Sequence, residues 1–159
     1  MRAVSAGGGR EMDPILARLI ILALIGIATG GAVWMGRSFV AARRRQALAA
    51  APLPSSARDT TPVRILAFSS EECVQCRRLQ MPALRRVLAA HPGAVAVEEI
   101  DAPATPALTS RYNILTVPST VVLDAAGRAR AVNYGFASTD RLLRQVNDVL
   151  DNAKLPLTR

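Results

Sequence analysis

Cys73 and Cys76 are the only cysteines in the chain, and they stand at a seam in its pattern. Before them, Val63-Arg64-Ile65-Leu66-Ala67-Phe68 is an apolar run that reads as a buried strand. After them, Leu79, Leu84, Val87 and Leu88 recur at helical spacing, which predicts a helix over 73–90. Ser69 or Ser70 is placed to cap that helix, Glu71 and Glu72 fall at its first turn, and His91-Pro92-Gly93 ends it. Cysteines this close cannot close a long loop, so they are no disulfide framework. A Cys-x-x-Cys between a strand and a helix start is a redox layout.

The chemistry follows from position. A thiolate, not a thiol, attacks a disulfide, and the unpaired N–H groups of a helix start stabilise it. Cys73 takes that place. Cys76 lies one turn on, on the same side, where it can resolve a mixed disulfide held on Cys73. Arg77 and Arg78 favour the thiolate, whereas Glu71 and Glu72 oppose it. The same two residues have other readings. A structural zinc site takes about four protein ligands, and the chain adds only His91, in the turn that ends the helix. Zinc shared between two copies and an inert cysteine pair are the remaining alternatives. The site residues call for no metal and no cofactor.

A second stretch fixes the organisation. Leu19 to Met35 carries no charge, and with Ile15-Leu16-Ala17 the run reaches the roughly 20 residues that span a bilayer, Arg18 snorkelling at one end and Trp34 at the other. Ala47-Leu48-Ala49 resembles a cleavage site. It lies far beyond the apolar run, behind Arg43-Arg44-Arg45, so an uncleaved single-pass anchor is expected. Arg37, Arg43, Arg44 and Arg45 outnumber Arg2, Arg10 and Arg18, a bias toward a cytoplasmic C-terminal side at the cell membrane. The expected divisions are a disordered 1–13 (with Met12 as an alternative start), an anchor helix 14–36, a basic helical stretch and linker 37–61, a domain 62–154 and a tail 155–159. Phe39 to Ala51 is helix-prone and can continue the anchor.

Beyond the first strand and helix, 94–100 reads as a strand, 107–112 as a short helix, 119–123 and 129–134 as a hairpin around Asp124-Ala125-Ala126-Gly127, and 138–150 as a last helix capped by Ser138. The net charge of +8 is nearly all arginine, with Lys154 the one lysine. It is scattered rather than gathered into a stripe, so nucleic acid is not an expected partner.

This order of elements resembles the thioredoxin family from about Pro62 to Lys154. Two motifs carry the likeness: Cys73-Val74-Gln75-Cys76, and Tyr112-Asn113-Ile114-Leu115-Thr116-Val117-Pro118-Ser119, which looks like the family's loop before its cis-proline. The resemblance implies an α/β fold, a trimmed β-α-β-α-β-β-α core on a mixed four-stranded sheet, and the apolar run before it adds one transmembrane helix. It implies that Pro118 is the cis-proline and that Val117 offers its backbone to an extended substrate. It implies thiol–disulfide exchange through Cys73 as nucleophile and Cys76 as resolving cysteine, with a protein thiol or disulfide substrate, an upstream redox partner and a part in cell redox homeostasis. A non-catalytic thioredoxin-like binding module and a thiol metal-binding protein are the alternatives. The chain departs from the family pattern at Glu72 (tryptophan in the family), at Val74-Gln75 (Gly-Pro), at Ala67 (a buried acid) and at Pro82, one residue late.

Overall fold

The fold is that of a computed structural model, in which residues 14–54 and 61–154 are described. The expectations for 1–13, 155–159 and most of the linker lie outside the described residues. The chain divides into two compact units, Met1–Ala41 and Ala42–Arg159.

In the first unit runs helix α1, Pro14–Leu48, whose last turns belong to the second unit. It is long and apolar enough to cross a membrane. Its sequence is apolar all round rather than on one stripe, and Leu22, Ile27 and Trp34 are exposed. The hydroxyls of Thr29 and Ser38 bond back to the carbonyls of Ile25 and Trp34, at 2.7 and 2.8 Å. Such back-bonding satisfies a hydroxyl within its own helix.

The second unit is built on four strands: β1 (Val63–Ser69), β2 (Val95–Asp101), β3 (Ser119–Asp124) and β4 (Ala129–Tyr134), in the order β2-β1-β3-β4. β1 pairs parallel with β2 and antiparallel with β3, so the sheet is mixed. The central strands β1 and β3 are buried on both faces, which is why they read as unbroken apolar runs. Gly127, at φ +74, closes the β3–β4 hairpin, and the Asp124 carboxylate accepts the N–H groups of Ala126 and Arg128. The pairing slips there. Val122 faces Ala131 but Leu123 faces Ala129, leaving Arg130 as a bulge that turns Ala129 to the other face.

One face carries Ile65, Ala67, Val122 and Ala131 under two helices, α2 (Met81–Ala90) and α4 (Thr139–Lys154). Leu84 and Val87 from α2, and Leu142 and Val146 from α4, are fully buried there. Each such side chain gains about 1.5–3 kcal/mol by leaving water. Ser138 caps α4 as expected, its hydroxyl accepting the Arg141 N–H. The other face carries Leu66, Phe68, Val121, Leu123 and Val132. It is covered by Leu108 of the short helix α3 (Pro106–Arg111), by Tyr112 and Ile114 after it, and by Ala47, Leu48 and Leu53.

The expected continuous helix 73–90 differs in its first half. Residues Cys76–Gln80 form a π-helical turn, closed by the Met81 N–H on the Cys76 carbonyl, and α2 begins only afterwards. Pro82 supplies the physical reason. It has no N–H for the carbonyl four residues back, and its ring crowds that carbonyl, so the preceding turn widens.

Candidate active site

Cys73 and Cys76 form a disulfide, with S–S 2.00 Å and Cα–Cα 5.3 Å. The expected side-chain cap by Ser69 or Ser70 is replaced by a backbone turn in which the Cys73 N–H bonds the Ser70 carbonyl at 3.1 Å. Glu71 and Glu72 lie in that turn, ahead of the helix rather than in it. Cys73 stands immediately before the first helical residues, Val74 and Gln75. Its sulfur accepts the Cys76 N–H at 3.1 Å, where a capping oxygen would otherwise sit, and its carbonyl accepts the Arg77 N–H. The Arg77 guanidinium bonds the Glu71 carbonyl and so ties the turn to the helix. The two sulfurs differ in access: Cys73 is half-buried, whereas Cys76 is 3% exposed.

β1 delivers this turn at one end of the sheet, and β3 enters at the same end. Phe68 pairs with Ser119, so the residues after Phe68 and those before Ser119 are neighbours. The Val117–Pro118 peptide bond is cis. Val117 and Thr116 share with Ser70 a cleft of about 280 Å³, lined also by Ala102, Thr109, Ile114 and Leu115. The far end of β4 falls here too, since Ser119 pairs with Tyr134. The structure therefore brings the two cysteines and the Val117-Pro118 pair to one end of the sheet. Val74, Leu115 and Phe136 are exposed at this end and give it an apolar surface.

A second cleft, about 320 Å³, opens beside Cys76 and is lined by Ser69, Glu71, Arg77, Met81, Glu99 and Asp101. Ala67 is buried behind it and pairs with Glu99. Acidic groups thus reach the neighbourhood of Cys76 from β2, not from β1. Among the described residues, no group of three or more His, Cys, Asp or Glu side chains is placed to hold a metal ion.

Two supports of the site have faint sequence signals. Gln80 is buried, its amide accepting the Ala137 N–H at 2.9 Å and donating to the Ala137 carbonyl at 3.3 Å. It pins the loop after β4 to the cysteine-bearing helix, and a glutamine among apolar helix positions is its only trace in the sequence. Arg43 donates to the Asn113 carbonyl, and its guanidinium lies 4.5 Å from the centre of the Tyr134 ring. Nothing in the local pattern around Arg43 points to that contact.

No family model and no curated protein sequence matches the chain. Solved structures do. A chloroplastic thioredoxin z is similar at a TM-score of 0.50 and 24% identity, over 58% of this chain and 81% of its own. A malarial protein is similar at a TM-score of 0.50 and 17% identity, over 57% of this chain and 99% of its own. The second unit has the thioredoxin fold. Its strand-to-helix junction carries the Cys-x-x-Cys disulfide, and a cis-proline lies at the same end of the sheet.

Proposed function

We propose that the protein is a membrane-anchored thiol–disulfide oxidoreductase. The observation that carries this reading is the unequal placement of the two sulfurs. Cys73 is reachable and sits where the helix start donates an N–H to its sulfur; Cys76 is covered and directly behind it. In the reduced protein, the Cys73 thiolate attacks a substrate disulfide. A Cys73–substrate disulfide forms, and one substrate thiolate leaves and takes a proton from solvent. The Cys76 thiolate then attacks Cys73 Sγ, the second substrate thiolate leaves, and the Cys73–Cys76 disulfide is restored. Two electrons have passed to the substrate, and an upstream dithiol protein returns them. The same steps in reverse oxidise a substrate dithiol. Val117 offers its backbone to an extended substrate beside Pro118. An anchor over 14–36 would hold the domain at the membrane, and the arginine balance across that anchor favours the cytoplasmic side.

The test uses the full chain in detergent micelles. Reduced parent protein should reduce a peptide disulfide, and Cys73→Ser should fall to background. Cys76→Ser should accumulate a mixed disulfide on Cys73. A Cys73→Ser variant as active as the parent would end this reading. Binding of a partner undisturbed by Cys73→Ser, with no turnover in the parent, would favour a binding module instead.

A further inference from the structure

The segment Ala42–Leu53 has no part in the exchange chemistry, yet it covers part of one face of the sheet that carries the cysteines. Ala47 is fully buried among Leu66, Val121, Leu123 and Val132. Further on, the Leu53 N–H bonds the Gly127 carbonyl at 2.8 Å. A Cβ on Gly127 would stand 1.9 Å from the Leu53 carbonyl oxygen, so only glycine lets the two backbones meet. The hairpin turn and the segment are cut to fit each other.

Arg43 stands at the start of this segment and reaches the active-site loop. The turn at Tyr112-Asn113 uses its N–H groups on α3, with Tyr112 N–H on the Leu108 carbonyl and Asn113 N–H on the Ser110 carbonyl. Its carbonyls point the other way. The Tyr134 hydroxyl donates to the Tyr112 carbonyl at 3.1 Å, and Arg43 donates to the Asn113 carbonyl while stacking on the Tyr134 ring. Asn113 stands at φ 53, in the left-handed region that asparagine tolerates. The next four residues, Ile114 to Val117, line the cleft shared with Ser70. An arginine suits this place because its planar fork stacks and donates at once, which an ammonium does not.

We propose that Arg43 is a positioning residue for the substrate-pairing edge of the active site. With Tyr134 it clamps the Tyr112-Asn113 turn and thereby fixes Ile114 to Val117 in the shape that receives an extended peptide disulfide. The proposal rests on the oxidoreductase reading and deepens it: the protein's substrates are extended segments, and the segment next to the anchor sets their affinity. A loop ordered before binding loses less freedom when substrate arrives, so the clamp acts on KM rather than on kcat.

The experiment takes the full chain in lipid nanodiscs and follows reduction of a synthetic extended peptide disulfide. Arg43→Met should raise KM about tenfold, the loss of one charge-assisted hydrogen bond and its stack, and change kcat by less than about twofold. Arg43→Lys should fall between that variant and the parent. Tyr134→Phe, which keeps the ring and drops the hydroxyl, should raise KM about threefold. Arg45→Met, an equal change of charge at an exposed position of α1, should match the parent. Amide exchange at Ile114, Leu115 and Val117 should quicken in Arg43→Met. An unchanged KM, a loss confined to kcat, or an Arg45→Met variant as impaired as Arg43→Met overturns the proposal. If the parent reduces no disulfide, the oxidoreductase reading fails by itself. Amide exchange then decides the clamp separately: faster exchange in Arg43→Met upholds it, and unchanged exchange overturns it.

Discussion

The two faces of the β2-β1-β3-β4 sheet are closed by different kinds of cover. On one face, α2 and α4 supply long apolar side chains, Leu84, Val87, Leu142 and Val146, from helices whose whole purpose is that contact. On the other, α3 covers part of the surface, and the rest falls to the final turn of α1 and the extended residues after it, with Ala47 and Leu53 as the contacts. The first cover is made of hydrophobic volume. The second combines a few apolar side chains, Leu48, Leu53, Leu108 and Ile114, with close backbone approach, one arginine and two tyrosines. The lesson is that burial depth alone does not rank the faces. Cover built from side-chain volume resists removal through area, whereas cover built from backbone fit resists it through geometry and can be lifted by one misplaced atom.

The largest effect that separates the faces is a cavity on the first. Leu84→Ala should lower unfolding stability by about 2–5 kcal/mol, since the sheet and α4 cannot collapse into the gap. Urea unfolding of the full chain in micelles reads this directly, and a cost well under the lower figure would show that α2 is less essential than its burial suggests. Second comes Ala47→Glu on the other face. A carboxylate cannot stay buried there without a partner, so the segment should leave the sheet at a net cost of about 1–3 kcal/mol. The cost is capped because the segment can leave the sheet while the four strands stay paired. Faster amide exchange confined to β4 and the β3–β4 turn would confirm that path. Exchange rising equally in β1 and β2 would show instead that the two faces unfold as one.

How much of this was legible in the sequence follows the same division. The face under α2 and α4 was readable, because Leu142, Val146 and Val149 recur at a helical period and Val63 to Phe68 is an unbroken apolar run. The cysteine pair and Val117-Pro118 were legible as local motifs, and the strand order brings them together. The π turn was not, since Pro82 acts backward on carbonyls whose own residues look like ordinary helix formers. The cover on the second face was not legible either. Its buried contact in α1 is a single alanine in an Ala/Arg-rich stretch without apolar period, and its arginine meets a carbonyl 70 residues away. Periodicity reports side-chain volume facing one direction. It carries no signal for a backbone that fits against another backbone.

Glycine substitutions sharpen the point at smaller scale. Gly93 and Gly127 share nearly the same conformation, φ +76 and +74, but a Cβ on Gly93 meets nothing within 4 Å. Gly93→Ala should therefore cost only the left-handed backbone penalty, about 1 kcal/mol. Gly127→Ala adds displacement of Leu53 and loss of its bond, which brings the total to about 2 kcal/mol. The difference between the two, measured in parallel urea titrations, isolates the backbone contact. Equal costs would mean that the segment shifts without loss.

The smallest effect is titratable, and it reports on the second face alone. The only tyrosines in the chain, Tyr112 and Tyr134, both lie there. Burial pushes both phenols above their usual value of 10.0, while Arg111 and Arg64 pull Tyr112 part of the way back and Arg43 and Arg44 do the same for Tyr134. A phenol with a raised value holds its proton longer in the folded protein than in the unfolded chain. Its contribution is full below about pH 10 and is lost as pH climbs through the raised value. Few other groups interfere in that window. Arginine keeps its charge, there is one lysine, and no thiol titrates while Cys73 and Cys76 are joined. Stability should therefore hold to about pH 10 and decline above it, with a shallower decline in Tyr134→Phe. The paired variant Tyr112→Phe with Tyr134→Phe should flatten most of what remains. If the alkaline decline persists in that pair, the loss arises elsewhere than on the face that Arg43 and Ala47 close.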